Sequence, residues 1–335
     1  MLFAPRFFGY EEEIRRKLAE MGAQVDFFDQ RPSNSVAAKA LIRINKRFLA
    51  NKINRYYKRI IDSSRGVDYE YILFISPEAI TKDSLVRMKS THPRSRFILY
   101  MWDSFQNKRR NIDDILQLFD DRFSFDMNDC RLAPHMLTYR PLFFLNEYAE
   151  LREEVPRDFQ LLFIGTIHSD RYKILSRFRS FCDKNGLTYF YYMFMPSKIL
   201  FYYRSLKDSA LRKVGPREFR YVPLRKTEVL ALMEKSNVIL DIEHPNQSGL
   251  TMRTIETLGA RRKLITTNER VAEYDFYHPQ NILVIDRENI QIDASFFRTP
   301  VVKLDPAIYR KYSIDGWISD VFRTKQTLPT PTRQT

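Results

Sequence analysis

The densest chemistry in the sequence lies in residues 237–268. An apolar run, Val238–Ile242, meets the turn-forming stretch Glu243-His-Pro-Asn-Gln-Ser-Gly249, and a short helical pattern closed by Gly259 leads into a second apolar run, Lys263–Thr266. This order is a βαβ unit. Gly249 allows a tight turn and close approach to a ligand, and the amides of Leu250, Thr251 and Met252 then form a helix N-terminus suited to a phosphate. Arg253 and Glu256 are three apart and share a face, and a carboxylate at that depth is where a nucleotide ribose would lie. An ordinary loop-to-helix turn with a surface Arg–Glu pair fits the same residues, because α/β proteins repeat this geometry.

A second turn follows Leu161-Leu-Phe-Ile-Gly-Thr166, with His168 and Arg171 leading into the next helix. Ligands of open parallel sheets collect at the carboxyl ends of strands, so the Gly165 and Gly249 loops are expected to converge on one crevice. Arg171 and Lys198 are phosphate candidates there, and His168 is either a phosphate ligand or merely structural. Asp103 follows the apolar run Phe97–Met101 and sits beside Trp102. A carboxylate desolvated by an aromatic ring is a candidate general base, although a helix cap or an acceptor contact fits the position too. The pairs Asp113-Asp114 and Asp120-Asp121 fall in helical surface patterns, where adjacent residues diverge. The five His show no ligand spacing, so no metal is expected.

Positioning these residues requires alternating strands and helices. Strands are predicted at Met1–Ala4, Gln24–Phe28, Tyr71–Ile75, Phe97–Met101 and Arg122–Phe125, then at Gln160–Ile164, Thr188–Phe194, Arg220–Val222, Val238–Ile242, Lys263–Thr266 and Ile282–Ile285. Helical patterns occupy 10–22, 36–61, 79–90, 110–119, 170–185, 226–236, 250–260 and 306–323. The fold class is α/β, with two tandem units: 1–145 and 159–305, joined by an acidic, proline-bearing linker at 146–158. Residues 324–335 offer almost nothing to bury and are expected to be a disordered tail.

The length of 335 residues suits two domains, and 44 % apolar content excludes a disordered polymer. Two cysteines, Cys130 and Cys182, cannot build a disulfide framework, and no apolar run reaches the ~20 residues that span a bilayer. With no cleavable leader in view, a reducing, cytoplasmic setting is expected. The net charge of +14 is concentrated in 39–65, with nine bases and one acid, and 198–226, with nine bases and two acids. In the first stretch Leu41, Ile44, Phe48, Ile53, Tyr56 and Ile60 recur at nearly helical spacing. That pattern fits a core-packed helix with solvated bases, a surface drawn to anionic lipid headgroups, or a nucleic-acid binder; no recognised nucleic-acid motif accompanies it.

On these residues the chain resembles bacterial GT-B glycosyltransferases of polysaccharide assembly, in particular the CgeB-like and lipopolysaccharide or capsule biosynthesis group. The similarity runs from Ala-Pro-Arg-Phe-Phe-Gly-Tyr10 through Tyr-Met-Trp-Asp-Ser104 and Phe-Ile-Gly-Thr166 to Gln-Ser-Gly-Leu-Thr-Met-Arg-Thr-Ile-Glu256. The resemblance implies two Rossmann-like domains facing across a cleft, with a C-terminal helix at 306–323 returning to the N-terminal domain. It implies a nucleoside-diphosphate sugar, UDP-sugar favoured, as donor substrate in the C-terminal domain, and a glycan or lipid-linked glycan acceptor in the N-terminal one. No cofactor or metal is implied.

By position, Gly249, Leu250 and Thr251 would take the diphosphate, Arg253 would help neutralise it, Glu256 would hold the ribose, and Gly165 and Thr166 would bound the site. Val222 and Leu224 stand where the family often places its base-binding loop, or at a simple strand end. The Glu-Pro-Phe-Gly turn of the commonest retaining pattern is replaced here by His244-Pro-Asn-Gln-Ser-Gly249. His244, Gln247 and Ser248 are therefore the donor-sugar candidates, and stereochemistry stays open. Phe8, Gly9, Tyr10 and Trp102 are implied on the acceptor side, with an anionic membrane surface as a further partner at the inner face of the cytoplasmic membrane. A non-catalytic nucleotide-sugar-binding or scaffold protein of the same fold is the alternative, followed by a basic nucleic-acid-binding protein.

Overall fold

Continuous apolar runs make strands that are buried on both faces, which is what a parallel sheet covered by helices demands. The computed structural model describes residues 1–7, 9–35, 41–42, 45–103, 112–245 and 249–323. Among these are eleven strands: β1 (Leu2–Ala4), β2 (Phe27–Asp29), β3 (Tyr71–Ile75), β4 (Arg96–Met101), β5 (Asp121–Ser124), β6 (Thr138–Tyr139), β7 (Phe159–Thr166), β8 (Tyr189–Phe194), β9 (Ser236–Asp241), β10 (Lys263–Thr266) and β11 (Ile282–Val284). The chain divides into two units, Met1–Leu142 with Ile314–Thr335, and Phe143–Ser313.

The first unit holds a six-stranded sheet in the order β2-β1-β3-β4-β5-β6, with every pairing parallel. Phe3 stacks on Phe74 at 4.4 Å between ring centroids at its centre. The helix Ala50–Ser63 buries Ile53, Tyr57, Ile60 and Ile61 and hangs on β2 and the residue after it: Tyr56 Oη donates to Asp29 O at 2.6 Å and Tyr57 Oη to Gln30 O at 2.8 Å. Of the apolar stripe expected in the first basic segment, Ile53 and Ile60 enter the core and Tyr56 is half-buried, whereas Leu41 and Phe48 are exposed. Within the 50–63 helix the bases Lys52, Arg55, Lys58 and Arg59 form the solvated face. Phe8, residues 36–40, 43, 44 and 104–111, and the expected tail at 324–335 lie outside the described residues.

The stretch expected as one helix at 306–323 is two. Pro306–Lys311 stays with the second unit, whereas Ile314–Phe322 completes the first. Trp317 of the latter is fully buried edge-on against Tyr100, with centroids 4.9 Å apart, and Arg140 pairs with Asp320 at 2.8 Å.

The second unit holds a five-stranded parallel sheet in the order β11-β10-β9-β7-β8. Residues 220–222, expected as a strand, contribute a single bridge from Arg220 to Phe194, because the chain turns away after one pairing. The 146–158 segment, expected as a linker, carries a helix, Asn146–Ala149, and buries Tyr148. Among the described residues, 112–119 forms turns and a short 3-10 helix at Leu116–Leu118.

The helix Met252–Gly259 closes at Gly259, as expected, but not through a left-handed glycine. A Cβ at Gly259 would stand 2.5 Å from Phe144 Cγ. The left-handed residue that ends the turn is Arg261, at φ 49°. A Gly→Ala change in a helix normally gains up to ~1 kcal/mol, whereas overpacking a buried ring costs ~1–3 kcal/mol. Gly259→Ala is therefore expected to destabilise by about 1 kcal/mol or more in urea unfolding, with Phe144→Leu in the same chain restoring part of the loss. A single variant as stable as the parent would refute this packing.

Candidate functional site

β7 opens the second unit, and its neighbours β8 and β9 lie on opposite sides, so strand order reverses there. The carboxyl ends of β7 and β9 form the crevice where open α/β sheets bind ligands. Arg171 ties the two ends together. Its Nε donates to Ile242 O at 2.6 Å and its Nη1 to Thr166 O at 2.8 Å, leaving Nη2 without a partner among the described residues. Gly165 makes room for this: a Cβ would stand 3.3 Å from Arg171 Nη1 and 2.8 Å from Phe163 Cζ. His168 and His244 bring their rings within 5.2 Å of each other. Burial, with Arg171 beside it, pushes the His168 imidazole down to about 4, so it is neutral at physiological pH.

The helix Met252–Gly259 begins at Thr251, whose Oγ1 accepts from Thr254 N at 3.1 Å. Asp241, the buried last residue of β9, accepts the hydroxyls of both Thr251 and Thr254, the second at 2.9 Å. The amides of Leu250, Thr251 and Met252 meet no acceptor among the described residues. Gly249 is buried, and its carbonyl accepts from Asn268 Nδ2 at 3.4 Å. Gln247 and Ser248 lie outside the described residues.

Arg253 and Glu256 do share a face, with Arg253 Nη1 2.8 Å from Glu256 Oε2. The pair is not a surface one. Glu256 is buried, and Tyr148 of the 146–149 helix hydrogen-bonds it, so that burial and this carboxylate push the Tyr148 phenol far up. Lys198 stands exposed at the start of the helix Lys198–Lys207, and no contact brings it to the crevice among the described residues. Val222 is exposed and accepts from Tyr192 Oη at 2.6 Å, while Leu224 is half-buried.

In the first unit Gly9 is left-handed, at φ 79°, and precedes the helix Tyr10–Glu20. Tyr10 is buried and belongs to the core, which corrects its acceptor-side placement. Trp102 is half-buried, 5.7 Å from the Phe7 ring. Asp103 is exposed, so the desolvation expected from Trp102 does not occur.

Sequence reasoning passed over Asp170, Asp241, Glu243 and Arg287. Arg287 Nη1 pairs with Asp170 at 2.9 Å, and its Nη2 donates to Glu243 O at 2.7 Å. Glu243 is buried, and its Oε2 has no partner among the described residues. The available signal was position: Asp241 and Glu243 both close an apolar strand, the criterion that singles out Asp103. Among the described residues no three His, Cys, Asp or Glu side chains could hold a metal ion, and no helix is long and apolar enough to cross a membrane.

No family model matches the chain, and no curated protein matches it by sequence. Solved structures do. HepE of Anabaena, in complex with UDP and glucose, is matched over 97 % of this chain and 99 % of its own, with a TM-score of 0.58 and 11 % identity. The lipopolysaccharide outer core galactosyltransferase WaaB, in its apo form, is matched over 96 % and 98 %, with a TM-score of 0.52 and 10 % identity. The fold is GT-B. The chain spans 55 % of the length of a further match, the Gap123 glycosylation-associated protein complex of Streptococcus agalactiae, over 81 % of its own, at 14 % identity and a TM-score of 0.46. In this GT-B chain the crevice of the second unit combines a helix N-terminus, the Arg171 guanidinium and a buried carboxylate.

That carboxylate has a pH signature. Burial pushes Glu243 up to about 7 from a usual 4.5, against the opposing pull of Arg287. A raised folded-state pKa contributes stability that is complete below about 4.5 and is lost as pH rises through about 7. Glu243→Gln is expected to abolish this loss and to melt higher than the parent at pH 8. Parallel melting-temperature profiles for the two proteins between pH 4.5 and 8 would contradict it.

Proposed function

We propose that the chain is a metal-independent, hexosyltransferase-like glycosyltransferase of the CgeB-like, lipopolysaccharide and capsule type. It moves a sugar from a nucleoside-diphosphate sugar, UDP-sugar favoured, to a growing, lipid-linked bacterial surface glycan at the inner face of the cytoplasmic membrane. The observation that carries the reading is the set of unengaged amides at Leu250, Thr251 and Met252 on the carboxyl edge of a GT-B second unit. HepE, of the same fold, is described with UDP and glucose.

In this reading an acceptor hydroxyl attacks the anomeric carbon, the bond from that carbon to the diphosphate oxygen breaks, and the hydroxyl proton passes to a base. Charge develops on the departing nucleoside diphosphate. Amides fixed at a helix N-terminus meet that charge without reorganising, and Arg171 Nη2 adds a cationic donor. Neutral His168 and exposed His244 border the same edge, within reach of hydroxyls. Glu256 stays the ribose candidate, exchanging Tyr148 or Arg253 for the sugar. On the acceptor side Gly9, Trp102 and Asp103 lie in the loops beyond β1 and β4, and Asp103, open to solvent, is the candidate base.

The test is a melting-temperature screen of UDP-, GDP-, dTDP- and CMP-sugars. At about a hundred times its dissociation constant a ligand adds ~2.7 kcal/mol of stability, enough for a measurable rise. UDP-sugar is expected to raise the melting temperature, and Gly249→Val to abolish the rise by blocking the turn. Equal rises in parent and variant, or none in either, would overturn the assigned pocket. Release of UDP on adding acceptor glycan separates turnover from mere binding.

A further inference from the structure

The helix Lys198–Lys207 is apolar on the wrong side for a helix facing only water. Its inner face is conventional: Phe201 and Ser205 are buried, and the Phe201 ring packs 5.3 Å from that of Phe219. On the outer face Ile199, Tyr202 and Leu206, at i, i+3 and i+7, are 82 %, 57 % and 75 % exposed, with Tyr203 beside them at 54 %. Four large apolar residues on one exposed stripe form a patch that a protein surface rarely carries without a partner.

The charges around the stripe name the partner. Lys198 is exposed at one end. At the other, Arg212 Nε and Nη2 donate to Ser205 O and Leu206 O, each at 3.2 Å, which fixes a guanidinium beside Leu206. Lys213, Arg217 and Arg220 follow, all exposed. The acids of this stretch are committed elsewhere. Asp208 accepts from the amides of Ala210 and Leu211, and Glu218 pairs with Arg179 at 2.6 Å.

We propose that this helix docks the protein on an anionic lipid bilayer, with Ile199, Tyr202 and Leu206 inserted between headgroups and the flanking bases on lipid phosphates. An exposed apolar face rimmed by cations is the pattern of helices that lie in the membrane interface. The helix is also anchored to the candidate site, since Arg204 Nη1 donates to Ile167 O in the loop after β7. Docking therefore presents the carboxyl edge of the second sheet to the lipid surface. This assigns a specific element to the membrane association of the proposed function. It rests on the exposure of the helix and not on donor binding, so the vesicle and nucleotide-sugar experiments fail independently.

The experiment is co-sedimentation of the full chain with vesicles of phosphatidylcholine alone, or of phosphatidylcholine and phosphatidylglycerol in equal parts. Binding is expected to the mixed vesicles, to weaken as salt is raised, and to fall about tenfold or more in Ile199→Ser/Leu206→Ser. Leu206→Trp is expected to strengthen it while leaving the melting temperature unchanged and the protein soluble without vesicles, which separates insertion from misfolding. Absence of binding to mixed vesicles, or equal binding by parent and double variant, overturns the proposal. So does a parent chain that sediments as a dimer without vesicles and is made monomeric by the double variant, because the stripe then covers a second copy.

Discussion

The Asp241 carboxylate is the constraint on which the second unit's site depends. It closes β9 and accepts the hydroxyls of Thr251 and Thr254, so the strand end and the start of the 252–259 helix are held by one buried anion. The intervening turn has its two ends fixed whatever its own sequence. A carboxylate at the positive end of a helix is favourable, and it also competes with any incoming anion for the same field. Arg171, bonded to carbonyls at the ends of both β7 and β9, supplies a compensating positive charge. The buried Asp241 carboxylate is then not an uncompensated negative charge at the crevice.

Two basic segments that look alike in composition differ because of what their apolar residues meet. In the 50–63 helix Ile53, Tyr57, Ile60 and Ile61 find the first sheet, and the lysines and arginines are left as a solvated rim. The 198–207 helix carries apolar residues on two faces, and one layer of contact with Phe219 and Leu211 satisfies only Phe201 and its neighbours. Its remaining apolar residues have no second layer to enter. Charge alone does not distinguish these cases; the number of covered faces does.

The strands were legible because a parallel sheet buries both faces, and an uninterrupted apolar run such as Tyr71–Ile75 or Lys263–Thr266 has few other uses. The helix start near Thr251 and the Arg253–Glu256 pair were legible from local pattern, since residues three apart along a helix share a face. Burial was not legible. Nothing in the spacing of Glu256 announces Tyr148, about a hundred positions away, and Asp103 looks desolvated beside Trp102 until the fold leaves it in water. Gly259 read as a helix stop because chain-local rules assign glycine to that role, but they do not show that its lack of a side chain serves Phe144. The 198–207 helix was missed because its apolar residues, Ile199, Leu200, Phe201, Tyr202, Tyr203 and Leu206, occupy both its inner and its outer face, so no single buried stripe stands out in the sequence.

Glu243 shows why position at a strand end is informative only with tertiary context. Asp241 and Glu243 lie two apart at the end of one strand, both buried, yet one is saturated by hydroxyls and the other keeps an oxygen with no partner among the described residues. The difference comes from the neighbours each carboxylate meets: two threonines at the start of the 252–259 helix for Asp241, and for Glu243 the single guanidinium of Arg287, shared with Asp170. A divided cation cannot fully offset the cost of burying a second carboxylate, and the proton affinity of Glu243 rises accordingly. A buried acid able to hold a proton near neutrality costs stability wherever it occurs. Glu243 precedes His244 in the chain just after β9, so the edge that carries the neutral His168 imidazole also carries a protonatable oxygen. A protonated carboxyl and a neutral imidazole each offer a hydrogen-bond donor and an acceptor without a fixed charge.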